Sequence, residues 1–261
     1  MNFKEFERVE YQHNILFNVV FQARFPDIMK ISHEAPVEFQ DIVRKEGYPE
    51  YSSNIPILPP DTPEELKKMI SADKEFHFFS AEKEWEVSLA KNFVALACNG
   101  KYKHYMDFRE KLEKILQRFH EIYEPSYFTR VGLRYRDIAN STFLPDMKKD
   151  VEIYIPKHIF PELGAPIAAD IKALQKVSQF NDGAVKANVV HVLSEVSGRF
   201  GQRQLRNEKS YIIDVDCFVE RKIEGIKNVL AKCDIFKKLN WNIFQWSITD
   251  ELRELMGKSE A

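Results

Sequence analysis

Residues 128–138, Phe-Thr-Arg-Val-Gly-Leu-Arg-Tyr-Arg-Asp-Ile, constrain this chain more than any other stretch. Side chains alternate between faces along a strand. Thr129, Val131, Leu133 and Tyr135 share one face. Arg130, Arg134 and Arg136 share the other, with Gly132 leaving a gap after the first arginine. Such a strand must bury one face and offer its guanidinium groups water or counter-charges on the other. Residues 211–218 have the opposite sign: Asp214 and Asp216 share one face, and Ile213, Val215 and Cys217 share the other. The two charged faces are expected to meet, with at least one of the three arginines paired to Asp214 or Asp216.

The remaining segments read as scaffold around these strands. Residues 14–25 form a strand with an unbroken apolar face, Ile15, Phe17, Val19, Phe21, Ala23 and Phe25, stopped by Pro26. Residues 32–46 read as a helix with Ser32 as N-cap and Gly47 as its stop. A proline-rich crossing follows, with at most an edge strand at 54–58. The Thr62-Pro63-Glu64-Glu65 pattern then opens a short helix to Ile70. Residues 75–80, 85–90 and 93–98 read as a meander with hairpin-sized separators. The clearest helix spans 102–123. Its apolar residues, from Tyr105 and Phe108 through Leu112, Ile115, Leu116 and Phe119, recur at spacings of three and four.

Residues 140–149 are polar and read as the boundary between halves. Residues 150–163 are ambiguous, because helical spacing competes with Pro156 and Pro161. Strands at 172–180 and 186–196 flank the turn signal Asn181-Asp182-Gly183. Residues 197–207 read as a loop carrying Arg199, Arg203 and Arg206. Helix returns at 221–239, bends at Asn240-Trp241-Asn242 and continues to Gly257. The expected fold is α+β. It has two halves, 1–140 and 141–261, each an antiparallel sheet with a long helix on one face, packed together through the charged strands and readable as a duplicated unit.

With 261 residues, 20 Phe and 10 Tyr, the chain has apolar area enough for a core without disulfides. A formal net charge of -2 gives no general attraction to nucleic acid or anionic membranes. Cys98, Cys217 and Cys233 read as small buried hydrophobes in a reducing compartment. The first residues are charged where a signal peptide would be apolar, and no apolar run approaches the roughly 20 residues that span a bilayer. The expectation is a cytoplasmic protein with no membrane partner.

Chemistry has few places to reside. Asp214 and Asp216, about 7 Å apart on one strand face, suit Mg²⁺ with a bridging phosphate, the basis of a metal-dependent phosphoryl enzyme. No third acid joins them by spacing and no phosphate loop occurs, so ion pairing with Arg130, Arg134 or Arg136 is preferred. No metal or cofactor is expected. The arginine face also suits a bound phosphate or carboxylate. Arg199, Arg203 and Arg206 form a candidate nucleic-acid contact, set against the bland reading of a solvated hairpin. The seven histidines show no metal-ligand spacing, and no nucleophile elbow appears. Cys98 near His104 is a weak candidate nucleophile.

Four landmarks together resemble a sporadically distributed prokaryotic family of uncharacterised proteins. They are Phe-Asn-Val-Val-Phe-Gln-Ala-Arg-Phe-Pro at 17–26, Thr-Arg-Val-Gly-Leu-Arg-Tyr at 129–135, Ile-Asp-Val-Asp-Cys-Phe at 213–218 and the segment 244–256. The Arg-Val-Gly-Leu-Arg-Tyr motif is the most specific. The family commonly has an Asn after this motif, where this chain has Arg136-Asp137. The resemblance implies a prokaryotic, cytoplasmic accessory protein and no catalytic residues. The leading expectation is a non-enzymatic protein-binding or regulatory module, such as an antitoxin-like component of a mobile or defence locus. Nucleic-acid binding and phosphoryl chemistry are the alternatives.

Overall fold

The computed structural model describes residues 1–54, 74–200 and 203–257. In chain order its elements are β1 (Leu16–Arg24), α1 (Met29–His33), α2 (Val37–Lys45), β2 (Glu50–Asn54), β3 (Glu75–Phe79), β4 (Trp85–Ala90) and β5 (Phe93–Asn99). Then come α3 (Tyr105–Tyr123), β6 (Phe128–Ala139), β7 (Leu174–Asn181), β8 (Lys186–Phe200), β9 (Arg203–Ile223), α4 (Ile226–Trp246) and α5 (Asp250–Met256). Short 3-10 turns fall at Val151–Tyr154, Pro161–Gly164 and Pro166–Asp170, where the prolines break any longer helix. The candidate helix beginning at Thr62 lies outside the described residues.

The expectation of two halves, each with its own sheet and long helix, is overturned. The strands form one nine-stranded antiparallel sheet in the order β2-β3-β4-β5-β1-β6-β9-β8-β7. The arginine strand β6 and the aspartate strand β9 are neighbours in one ladder, so no second sheet is needed to pair their charges. The length of β9 makes this possible. It runs for 21 residues instead of the expected eight or so, and residues 203–210 and 219–223 extend it at both ends.

The chain divides into two compact units. The first takes Met1–Val19, Leu133–Val219 and Asp234–Ala261, and the second takes Val20–Gly132 and Glu220–Cys233.

In the second unit, β3, β4 and β5 form the expected meander, with registers such as His77↔Ser88 and Val87↔Leu96. Phe76, Phe78, Val87, Leu89, Val94 and Leu96 are buried on one side of it. The helix α3 carries the predicted stripe inward: Phe108, Leu112, Ile115, Leu116 and Phe119 are all buried. Phe25 meets Phe119 with ring centroids 4.8 Å apart, and Phe39 meets Phe78 at 5.7 Å. Glu124 ends α3 in the left-handed region ahead of Pro125. The expected single helix at 32–46 is two helices. Pro36 disfavours helical backbone before it, and Glu34 is extended. Ser32 lies inside α1 and not at a cap.

In the first unit, β7, β8 and β9 pair antiparallel around the predicted turn. Asn181 Oδ1 accepts from Gly183 N at 2.8 Å, and Asp182 Oδ1 accepts from Ala184 N and Val185 N. Gly183 takes φ 82, which a side chain would resist. Ala187, Val189, Leu193, Tyr211, Ile213, Val215 and Cys217 are buried on the inner face. Tyr211 donates its hydroxyl to Ser247 O at 2.8 Å, tying β9 to the end of α4. The helix is unbroken at Asn240. Asn240 is buried and donates to Phe236 O, one turn back, at 2.9 Å, so its side chain serves the helix instead of breaking it. The expected loop at 197–207 is also corrected over its described residues: β8 runs to Phe200 and β9 starts at Arg203, paired past a bulge between Val196 and Gly198.

Candidate functional site

Within the first unit, β6 and β9 bring together a compact polar group. Arg134 donates Nε–H to Asp214 Oδ1 at 2.6 Å and Nη2–H to Asp214 Oδ2. This side-on geometry matches the planar guanidinium to both carboxylate oxygens. The hydrogen bonds to Asp214 hold the Arg134 guanidinium above its usual pKa. Asp216 adds attraction from two residues further along β9.

Arg136 differs. Its Nε donates to Asn18 Oδ1 at 2.9 Å, and its guanidinium carbon lies 5.3 Å from the centroid of the Phe17 ring. No carboxylate lies within ion-pair distance of it among the described residues. Burial, reinforced by the neighbouring Arg134 charge, pushes its pKa below the ordinary arginine value. It is half-buried and backed by an aromatic ring, and among the described residues its terminal nitrogens make no hydrogen bond. Arg130 belongs to the second unit. Its side chain folds over Gly132, where an added Cβ would come 2.9 Å from Arg130 Nη1. The gap that glycine leaves in the strand is thus filled by the arginine beside it.

The strand register sets what surrounds the Arg134–Asp214 pair. Val177, Val190 and Asp214 lie side by side across β7, β8 and β9. The adjacent rows are Gln175, Val192 and Ile212, and Gln179, Asn188 and Asp216. Val190, Val192 and Ile212 are half-buried, and Val177 is 57% exposed. The outer face of these strands therefore pairs a β-branched apolar patch with a charged margin.

Arg199, Arg203 and Arg206 lie on the β8–β9 hairpin, and all three are exposed. Arg203 is already engaged: it donates to Thr142 O at 2.8 Å and stacks on Phe143 at 4.4 Å. That contact ties the start of β9 to residues 142–143.

Two groups were missed by the sequence reading. His77, Glu86 and Ser88 meet on β3 and β4. His77 Nδ1 lies 2.8 Å from Glu86 Oε1, and Ser88 Oγ donates to the same oxygen at 2.9 Å. Glu86 thus accepts from Ser88, and His77 Nδ1 also lies 3.2 Å from Ser88 Oγ. The hydrogen bond to Glu86 raises the His77 pKa, and its counterpart lowers that of Glu86. Counting back from the 80–85 turn would have placed His77 opposite Ser88. The second group is Asp137, whose carboxyl is buried and pushed up to about 8 by burial and by the nearby Asp214 charge.

Other candidates are spent internally. Cys98 and Cys217 are buried, and burial raises both thiols, Cys98 to about 12, so neither is a ready thiolate. An open cavity of about 450 Å³ beside the start of α3 is lined by lysines and acids. Two pairs form there: Lys101 with Glu84, and Lys114 with Glu110 at 2.9 Å. Among the described residues no three His, Cys, Asp or Glu side chains converge in a metal-binding group, and no helix is long and apolar enough to cross a membrane.

The chain matches no family model and no curated protein.

Proposed function

We propose that this chain is a non-enzymatic protein-binding module of the cytoplasm, acting through the outer face of β6, β9, β8 and β7 in the first unit. Arg136 carries this reading. It is a half-buried cation with a fixed orientation and no carboxylate partner among the described residues, beside an apolar patch. Burying a cation without a counter-charge costs stability, and an incoming acidic group recovers that cost on binding. Val190, Val192 and Ile212, on strands that follow β6 in the sheet order, supply half-buried apolar area, and the Arg134–Asp214 pair supplies a polar rim. An accessory or antitoxin-like role is the form this reading takes if the family resemblance holds.

The test is affinity purification of the tagged chain from its native host with the neighbouring genes intact. Arg136→Glu and a control at exposed Met106 on α3, Met106→Glu, are purified in parallel. The expected result is one partner recovered with the wild type and the control and lost with Arg136→Glu, at equal melting temperatures. Equal recovery with all three chains, or no partner with any, overturns the reading.

A further inference from the structure

The edge of the sheet at β7 has an unused capacity. β7 is the terminal strand of the order and pairs only with β8, through eight consecutive residue pairs from Leu174↔Leu193 to Asn181↔Lys186 without a bulge. Among the described residues, no backbone hydrogen bond links 174–181 to any segment other than β8. Its outward row of backbone donors and acceptors is thus without a backbone partner among the described residues.

Exposed edges are ordinarily protected by proline, by bulges, by very short strands or by projecting charge. β7 has eight residues, Leu-Gln-Lys-Val-Ser-Gln-Phe-Asn, with no proline and no glycine. Its single charge is withdrawn: Lys176 Nζ donates to His158 O at 3.0 Å and to Ile159 O at 3.2 Å. Phe180 is also turned to the interior, meeting Phe3 at 5.0 Å. Gln175, Val177 and Gln179 remain exposed on the other face.

This strand is complementary to itself. An antiparallel copy centred on Val177 sets Val177 against Val177 of the second copy, and Gln175 against Gln179 of the second copy. On the inner face Lys176 meets Ser178, and Leu174 meets Phe180. No like charges are opposed, amides face amides, and the apolar residue falls on the twofold axis. A twofold contact demands such a self-matching patch. We propose that two copies of this chain associate through antiparallel pairing of their β7 strands in that register, continuing the sheet across the axis. This goes beyond the partner-binding reading and uses the edge, not the face. Main-chain bonds supply affinity, and the alternating side chains fix the register. A contact of one strand pair is small, so the dimer is expected to be concentration-dependent and reversible.

Sedimentation velocity over a concentration series of the full chain tests it, with Val177→Lys and Val177→Glu made separately. Val177 is 57% exposed, so neither change disturbs the core, and circular dichroism melts check this directly. In the proposed register position 177 faces itself. Each variant alone therefore opposes like charges and should dissociate at least tenfold more readily than the wild type. An equimolar mixture opposes Lys to Glu and should regain association. A wild type that stays monomeric at every concentration overturns the proposal. So does either variant dimerising as tightly as the wild type, or a mixture no more associated than its components.

Discussion

Arg134 and Asp214 form a side-on ion pair between adjacent strands, with Nε–H donated to Oδ1 at 2.6 Å. The Arg134 side chain is 46% exposed and that of Asp214 15%, so water still reaches the cation. Screening then limits what the pair adds to stability. Asp214→Ala is expected to cost up to about 1 kcal/mol, and less at high salt. A double-mutant cycle with Arg134→Ala in urea denaturation measures the coupling. A loss of 3–5 kcal/mol would show that the pair behaves as a dehydrated one. A stable Asp214→Ala chain that loses its partner would show instead that the carboxylate belongs to the binding face.

Leu116 is fully buried on α3 among Phe108, Leu112 and Phe119. Leu116→Ala removes buried methyl groups and leaves a cavity that rigid aromatic neighbours fill poorly. The expected cost is about 2–5 kcal/mol by denaturant titration. A cost below about 1 kcal/mol would mean that the second unit's core collapses around the site.

The stripe on α3, the meander and the turn at 181–183 were all legible because each is set by neighbours in sequence. Helical periodicity, hairpin length and side chains that bond their own turn need no knowledge of the fold. The single sheet was not legible. Whether β6 pairs with β9 or faces it from another sheet depends on ladder partners some 80 residues apart. An alternating strand carries the same pattern either way. The hairpin at 203–210 was hidden by glycine and arginine content that suits a loop equally well. At the site, the opposite signs on 128–138 and 211–218 predicted that charges would meet, and Arg134 meets Asp214. That Arg130 folds over Gly132 and that Arg136 turns to Asn18 depended on the path of each side chain, which alternation does not encode.

Arg203 bonds Thr142 O and stacks on Phe143. Arg203→Ala is therefore expected to lower stability by about 1–2 kcal/mol. If the hairpin has no role with nucleic acid, a gel-shift series at low salt shows no retardation of DNA or RNA by the wild type. Retardation that weakens steeply with salt, with a slope flattened in an Arg199→Ala, Arg206→Ala chain, would restore the nucleic-acid reading.

Asp137 gives the sharpest dependence on pH. Its carboxyl lies two residues beyond Tyr135, buried, with no hydrogen bond to another described residue. Burial first, and the Asp214 charge second, raise its pKa to about 8, against about 4 in an unfolded chain. Between these values the folded state holds a proton that the unfolded state has released. Stability from this group is therefore full below about pH 4 and falls as pH rises towards 8. Asp137→Asn keeps the shape and carries no charge, so it escapes that loss. The other titrating groups are common to both chains and largely cancel in the comparison. The stability of Asp137→Asn relative to wild type should grow steadily between pH 4 and 8, by at most roughly 1 kcal/mol per pH unit, then level off. Urea denaturation of both proteins at unit steps from pH 4 to 9 measures it. A difference that stays constant across that range would mean that Asp137 is ionised in the folded protein, with water or a cation reaching it.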